Sequence, residues 1–355
     1  SIYVEMHYNI NGGIIAGNSD FHANGSGNIC KNADDKWAVT VWDYNKGDEK
    51  WGLADATTFK LTRTGYTFKG WSTSRTGGTV FDQSNTKLIS TQINADVKKG
   101  NVTSTMFAQW TANQYTVTFD ANGGKVSPTS QKVTYDGKYG TLPTPTKEGY
   151  TFSGWYTDKT NGNKVIDTTK VSTASNHTLY AHWTINKLTM HYNVNGGTIA
   201  SDSSFYANDN GNIFNKSDNK LVVTIWDCNK GDEKYGLYNA SSFKLVREGY
   251  RFVGWSASRT GGTVFDQDDT SVTSTKISSD VKNRNSSVTL FAQWAVLGDL
   301  TKDGKTSVDD VILMQKYLHK QQAFTKEQYQ NADMNGDGKV NVFDLVLLKQ
   351  KLLKK

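Results

Sequence analysis

Residues 74–83 read Ser74-Arg75-Thr76-Gly77-Gly78-Thr79-Val80-Phe81-Asp82-Gln83, and the same ten residues return unchanged at Ser258–Gln267. The identity extends outward as a register: residues 6–110 align with residues 190–294 at a constant offset of 184, without a gap. Met6-His7-Tyr8-Asn9 recurs as Met190-His191-Tyr192-Asn193, and Asn45–Lys50 recurs as Asn229–Lys234. A shorter version of the unit lies between them, at about residues 113–183. Its landmarks are Asn122-Gly123-Gly124, Gly149-Tyr150-Thr151-Phe152, Gly154-Trp155 and Ala181-His182-Trp183. Such periodicity settles the architecture first: the chain is a tandem array, and the fold to be solved is that of one unit.

The unit reads as β. Tyr115, Val117 and Phe119 alternate with threonines and run into Asn-Gly-Gly, which supplies the positive φ of a tight turn. The terminal strand alternates Leu179, Ala181 and Trp183 against Thr178, Tyr180 and His182. The outer copies carry Met106, Ala108, Trp110 and Leu290, Ala292, Trp294. Alternation of this kind marks a sheet with one buried face. The landmark set, a strand ending in Asn-Gly-Gly, then Gly-Tyr-x-Phe-x-Gly-Trp, then Ala-x-Trp, resembles the B-repeats of internalin-type bacterial surface proteins. That resemblance covers most of residues 3–294. It implies small β-grasp, ubiquitin-like modules that act as spacers or adhesive elements, and it carries over no common ligand and no catalytic residue.

The outer copies depart from the short one. Gly13 to Gly65 is 52 residues, against 25 from Gly124 to Gly149, so each outer copy holds 27 extra residues. The extra stretch is read as including an alternating strand, Lys36–Asp43 or Lys220–Asp227, followed by a polar loop and Trp51 or Tyr235. Eleven further residues separate the landmark tryptophans, by comparison of Trp71 to Trp110 with Trp155 to Trp183. Six of the ten tryptophans (Trp71, Trp110, Trp155, Trp183, Trp255, Trp294) are landmarks and are read as core. Trp37, exchanged for Leu221 in the third copy, reads as buried. Trp42 and Trp226, with Trp51 and Tyr235, are the candidate platform for a polysaccharide or another glycan, beside Asp43, Asp48 and Glu49. The alternative is that they cover the inserted strand, and exposure decides between the two.

Residues 297–355 differ in character. Asp333, Asn335, Asp337, Lys339, Asn341 and Asp344 stand at positions 1, 3, 5, 7, 9 and 12 of a loop with Gly338 at position 6. Asp299, Thr301, Asp303, Lys305, Ser307 and Asp310 repeat the spacing, with Gly304 at the turn. Oxygen donors so spaced wrap Ca²⁺, a hard ion that takes six to eight oxygens. Val311, Met314, Leu318 and Leu345, Leu348, Leu352 follow at helical spacing. A full EF-hand needs a helix before each loop, and none fits before Asp299.

This duplicated loop-plus-helix pattern, with Asp at position 12, resembles a type I dockerin, a module that plugs extracellular proteins into cohesin modules of scaffoldins in cellulosome-like complexes. The resemblance implies two calcium sites with the twelve residues above as ligands, Lys305 and Lys339 through their carbonyls. The first site is expected to be weaker, because Thr301 replaces Asn or Asp. It also implies cohesin contacts by Val308, Asp309, Gln315, Lys316 and Tyr317 in one half, and by Val342, Phe343, Lys349, Gln350 and Lys351 in the other. Asp309 opposite Phe343 favours a single docking orientation, since a charge and an aromatic ring do not suit one pocket.

Composition bounds the rest. A chain of 355 residues suits three or four domains. The net charge of +6 is spread out, which gives no support for nucleic-acid binding, and no apolar run is long enough to span a membrane. Cys30 and Cys228 sit in different copies, so free thiols are expected. None of the six histidines lies in His-Glu-x-x-His, and no nucleophile motif is present, so no catalysis is expected. Joints at 111–114, 184–187 and 295–298 are short and free of proline, which favours a stiff string. The start at Ser1, without signal-peptide features, reads either as a processed chain or, preferably, as a C-terminal piece of a longer secreted protein. The expected fold is mainly β tandem repeats of β-grasp type with a small all-α calcium-binding dockerin. The expected domains are 1–111, 112–184, 185–295 and 296–355, in an extracellular, non-catalytic component that docks to a cohesin.

Overall fold

The computed structural model describes residues 1–46, 52–82, 88–230, 236–265 and 272–354. It is mostly β-sheet, with its longest helices at the C-terminal end. Contacts divide it into two compact units, Ser1–Pro145 with Gly154–His182, and Thr146–Ser153 with Trp183–Lys355.

In the first unit a four-stranded sheet has the order Val39–Asp43, Tyr3–Asn9, Val102–Ala112, Tyr66–Ser72. The first and last strands run parallel, from Val4 opposite Val102 to Asn9 opposite Phe107, and the outer pairs are antiparallel. Val4, Met6 and Tyr8 point inward with Met106, Ala108 and Trp71, as the two-residue period requires. The short module repeats the plan: Gln114–Asp120 lies parallel to His177–Ile185, with Ser130–Thr134 antiparallel on its free side.

That comparison corrects the reading of the insertion. The Val39–Asp43 strand occupies the edge position that Ser130–Thr134 holds in the short module, so it belongs to the common plan. Most of the added chain precedes it: Val39 follows Gly13 by 26 residues, and Ser130 follows Gly124 by six. The addition contains a small hairpin, Phe21–Ala23 with Ile29–Lys31. The second extension is helical, Ser90–Ile93 followed by a 3-10 turn at Ala95–Lys99.

The tryptophans also divide differently. Trp71, Trp155 and Trp255 are fully buried, whereas Trp110, Trp183 and Trp294 are half-buried. Trp37 is not core. It is 39% exposed and lies edge-on to His7, with ring centroids 4.4 Å apart.

The Gly-Tyr landmark is a joint. Gly65 has φ +76°, and its carbonyl accepts the Asn113 N–H at 2.8 Å. Tyr135 of the short module lies against it so closely that a Cβ on Gly65 would stand 2.2 Å from the ring. Tyr66 meets Tyr135 edge-on and donates its hydroxyl to Asp136 at 2.5 Å. That bond, with the Lys170 ammonium at 3.1 Å, holds the Asp136 carboxyl below its ordinary range.

In the second unit the third module repeats the sheet, in the order Val223–Asp227, Lys187–Asn193, Ser286–Val296, Tyr250–Ser256. Gly149 accepts the Asn186 N–H at 2.8 Å, and Gly249 accepts the Leu297 N–H at 2.9 Å. The same corner thus closes on the residue that follows each module's last strand.

Candidate functional site

The Ser286–Val296 strand runs to within three residues of Asp299, so no helix precedes the first loop. Helices Val308–Leu318 and Val342–Leu353 follow the two loops, and Lys326–Ala332 precedes the second. Val311, Met314, Ala332, Leu348 and Leu300 form their buried core. Both main helices begin three residues before the first apolar residue of the predicted pattern, because the loops cap them. Asp310 accepts the Ser307 N–H at 2.7 Å, Asp344 accepts the Asn341 N–H at 2.8 Å, and Asn341 Oδ1 accepts the Phe343 N–H at 2.8 Å. The helix Lys326–Ala332 was missed, although Thr325 and Gln328 form a capping box that the sequence spells out.

The carboxylates organise the loops. Asp299 accepts the Lys302 and Gly304 N–H groups at 2.8 and 2.9 Å. Asp333 accepts those of Asp337 and Gly338 at 3.1 and 2.8 Å. Asp303 and Asp337 accept the Lys305 and Lys339 N–H groups at 3.1 and 2.9 Å. Asp310 reaches back to the Leu300 and Thr301 N–H groups at 2.8 and 2.9 Å, and Asp344 to that of Met334 at 2.9 Å. Gly304 and Gly338 have φ of +85° and +80° with open space at the Cβ position. Backbone conformation, not crowding, therefore calls for glycine there. Thr301 Oγ1 turns to Asp310 at 3.1 Å, and Asn335 Oδ1 accepts the Asp337 N–H at 3.1 Å.

Asp310 and Asp344 are fully buried and Asp299 nearly so. Among the described residues, no ion pair involves Asp299, Asp303, Asp310, Asp333, Asp337 or Asp344. Buried anions without a cationic side chain cost several kcal/mol each (~3–5 when a partner is missing). Each loop offers an all-oxygen set around that deficit, which fits Ca²⁺ and does not fit a soft metal.

One face of this segment is open. Val308, Val342 and Phe343 are 67%, 59% and 70% exposed, and Ile312 and Val346 continue the stripe one turn along each helix. Asp309, Lys316, Lys349 and Gln350 are exposed, and Gln315 is half-exposed. Two residues expected on that face are engaged elsewhere. Tyr317 stacks on Phe324 with ring centroids 4.2 Å apart. Lys351 donates to the carbonyls of Leu297 at 2.6 Å and Gly249 at 3.3 Å, so it closes the joint to the third module. Arg251 completes that joint: its Nε and Nη2 donate to Asn331 Oδ1 at 3.1 and 3.0 Å. Asn331 is 3% exposed and donates in turn to the Asp299 carbonyl at 3.1 Å. Arg251 is the variable position of the Gly-Tyr-x-Phe landmark and Asn331 lies outside both calcium loops, so no motif signalled this tie.

The candidate glycan platform loses its two strand tryptophans. Trp42 and Trp226 are 1% and 2% exposed and lie in the cores of their modules. On the edge strands the outward positions are Val39, Val41, Val223 and Ile225, so apolar residues occur on both faces and the pattern did not show which face was buried. Trp51 and Tyr235, with Asp48 and Glu49, lie outside the described residues.

Comparison with known proteins adds to this geometry. The Listeria-Bacteroides repeat domain (List_Bact_rpt) matches residues 20–97, 115–182 and 229–293, more than half of the chain. The chain belongs to the Listeria-Bacteroides repeat family. The dockerin type I domain matches residues 297–353, so three repeats are followed by a C-terminal dockerin. Internalin H of Listeria monocytogenes is 43% identical over 125 residues, 35% of this chain and 20% of that protein. A putative Gly-rich membrane protein of Evansella cellulosilytica is 37% identical over 148 residues, 40% of this chain and 15% of its own length. A putative membrane protein of the same organism is 25% identical over 323 residues, 73% of this chain and 44% of its own length. The chain therefore spans less than half the length of each of these relatives. Type I dockerins are calcium-binding, cohesin-docking modules, generally of extracellular or cell-surface proteins. Among the described residues, no helix is long and apolar enough to cross a membrane.

Proposed function

We propose that the chain is a non-catalytic, extracellular component that docks to a scaffoldin cohesin, with its three repeats as a stiff spacer. The docking half rests on one observation: among the described residues, six carboxylates in two loops have no cationic side-chain partner, and the helices that follow expose an apolar stripe. Two Ca²⁺ ions are assigned. Asp299, Thr301, Asp303, the Lys305 carbonyl, Ser307 and Asp310 would hold one; Asp333, Asn335, Asp337, the Lys339 carbonyl, Asn341 and Asp344 would hold the other. Bound calcium would offset the charge of the buried Asp310 and Asp344 carboxylates, and so couple metal to folding.

The cohesin surface is read as Val308, Asp309, Ile312, Lys316, Val342, Phe343, Val346, Lys349 and Gln350. Phe343 opposite Asp309 favours one orientation. The spacer half is supported by the parallel pairing of first and last strands in every module, which is also what a β-grasp plan requires, and by the glycine corner at every joint.

The test is binding of the full chain to a panel of type I cohesins, with calcium and with chelator. Binding in calcium that is lost in chelator, and lost again in an Asp333→Ala/Asp337→Ala variant, is expected. Retained affinity in chelator refutes the mechanism.

A further inference from the structure

The added hairpin of the first module gathers three ligand-type side chains. His22 and Cys30 are directly opposed across its two strands, so their side chains share a face. The chain after Lys31 folds back, with the Asp35 N–H on the Lys31 carbonyl at 2.9 Å, and brings Asp35 to the same corner. One donor atom from each of His22, Cys30 and Asp35 lies within 4.8 Å of the other two. Cys30 is buried, while the side chains of His22 and Asp35 are 40% and 83% exposed, so the corner opens to solvent on one side.

The hydrogen bonds fix how these groups are presented. Asn32 Nδ2 donates to the Ser19 carbonyl at 2.9 Å, which turns Asn32 Oδ1 to His22 Nδ1 at 2.8 Å. An acceptor there makes Nδ1–H the donor. In the neutral ring Nε2 is then bare, and it faces Asp35 Oδ1 at 2.9 Å. At that distance the two atoms can share a proton, or both can turn to a single ion beside them. A histidine that donates one ring N–H to a fixed oxygen and presents the other nitrogen is held as metal-ligating histidines are, by a hydrogen bond behind the ligand.

The third module is an internal control. At the constant offset the same three positions are Tyr206, Phe214 and Asn219. There the rings of Tyr206 and Phe214 stack, 5.5 Å apart and 21° from parallel, and the Tyr206 hydroxyl donates to Asn219. Ring and hydroxyl tie that hairpin to its turn. The first module lacks both and carries an imidazole, a thiol and a carboxylate instead. All three residues change together, from a hydrogen-bonded aromatic pair to N, S and O donors.

We propose that His22, Cys30 and Asp35 bind one divalent transition-metal ion of the zinc class, which cross-links the hairpin to its following turn. A mixed N, S, O set suits a borderline ion and not calcium, and three protein ligands with water at the open side complete four-coordination. Binding displaces the thiol proton to solvent.

The test uses the full chain, kept reduced with a phosphine and saturated with calcium, titrated with Co²⁺. A sulfur-to-cobalt charge-transfer band that appears at one equivalent and is displaced by Zn²⁺ is expected. The band persists in Cys228→Ser, disappears in Cys30→Ser, and needs at least about tenfold more Co²⁺ in His22→Ala or Asp35→Asn. Asp35→Asn alters an exposed side chain, so it separates ligand loss from unfolding. No band in the parent protein at saturating Co²⁺, or a band that survives Cys30→Ser, overturns the proposal and leaves an imidazolium–carboxylate pair beside an idle thiol.

Discussion

Replacing Gly65 by alanine separates two costs that one motif combines. Gly65 and Gly249 occupy the same corner of their modules with φ of +76° and +77°. Alanine at either must adopt the left-handed region, at about 1–2 kcal/mol. The surroundings differ. A Cβ on Gly65 would lie 2.2, 2.4 and 2.5 Å from three atoms of the Tyr135 ring, whereas on Gly249 its nearest neighbour is Lys351 Nζ at 3.9 Å. The Tyr135 ring must leave, which adds about 1–3 kcal/mol of overpacking strain at Gly65 alone. The expected destabilisation is therefore about 2–5 kcal/mol for Gly65→Ala and about 1–2 kcal/mol for Gly249→Ala. Hydrogen exchange read by mass spectrometry, on the peptides containing Asn113 and Leu297, gives the local opening free energy at each joint. Tyr135→Ala in the Gly65→Ala background should recover most of the difference. Equal costs at the two glycines, or no recovery, would refute the assignment of Gly65 as a contact residue.

Arg251→Ala leaves the buried Asn331 oxygen without its guanidinium, which costs the dockerin about 1–3 kcal/mol in denaturant unfolding followed by far-UV circular dichroism. Lys316→Ala, on an exposed site, is the silent control. Burial pushes the Tyr192 hydroxyl up to about 12 from 10.0, so the folded state keeps it neutral where the unfolded chain ionises. Its contribution is complete below pH 10 and is lost between pH 10 and about 12, worth about 2–3 kcal/mol. Tyr192→Phe, measured by alkaline denaturation, should remove that dependence while it forfeits the bonds to Thr224 at 2.6 Å and Tyr238 at 3.3 Å. Phe343→Asp should weaken cohesin binding by about tenfold or more and leave calcium loading intact, read by isothermal titration with each ligand.

Local signals carried much of this architecture. The offset of 184, the Asn-Gly-Gly turns and the alternating Ala-x-Trp strands were enough for a β array, because period and turn chemistry are properties of neighbouring residues. The calcium loops were legible for the same reason: twelve consecutive residues bring their own ligands, cap and turn glycine to one place. The edge strands were not. Val39 and Val41 face solvent while Trp42 is buried, and only pairing with Tyr3–Asn9 shows which side meets the core.

The three copies, the β character and the two loops could be read from the residues alone, since each is written in spacings of a few residues or in direct repetition. Tertiary structure alone decided which tryptophans were core, and that Lys351 and Arg251 secure a joint. It also decided that Gly65 makes room for a tyrosine seventy residues away, and that His22, Cys30 and Asp35 share a corner that Tyr206, Phe214 and Asn219 fill otherwise. Those facts depend on which surfaces meet after the chain has folded back, and burial and contact across such distances leave no periodic trace in the residues that make them.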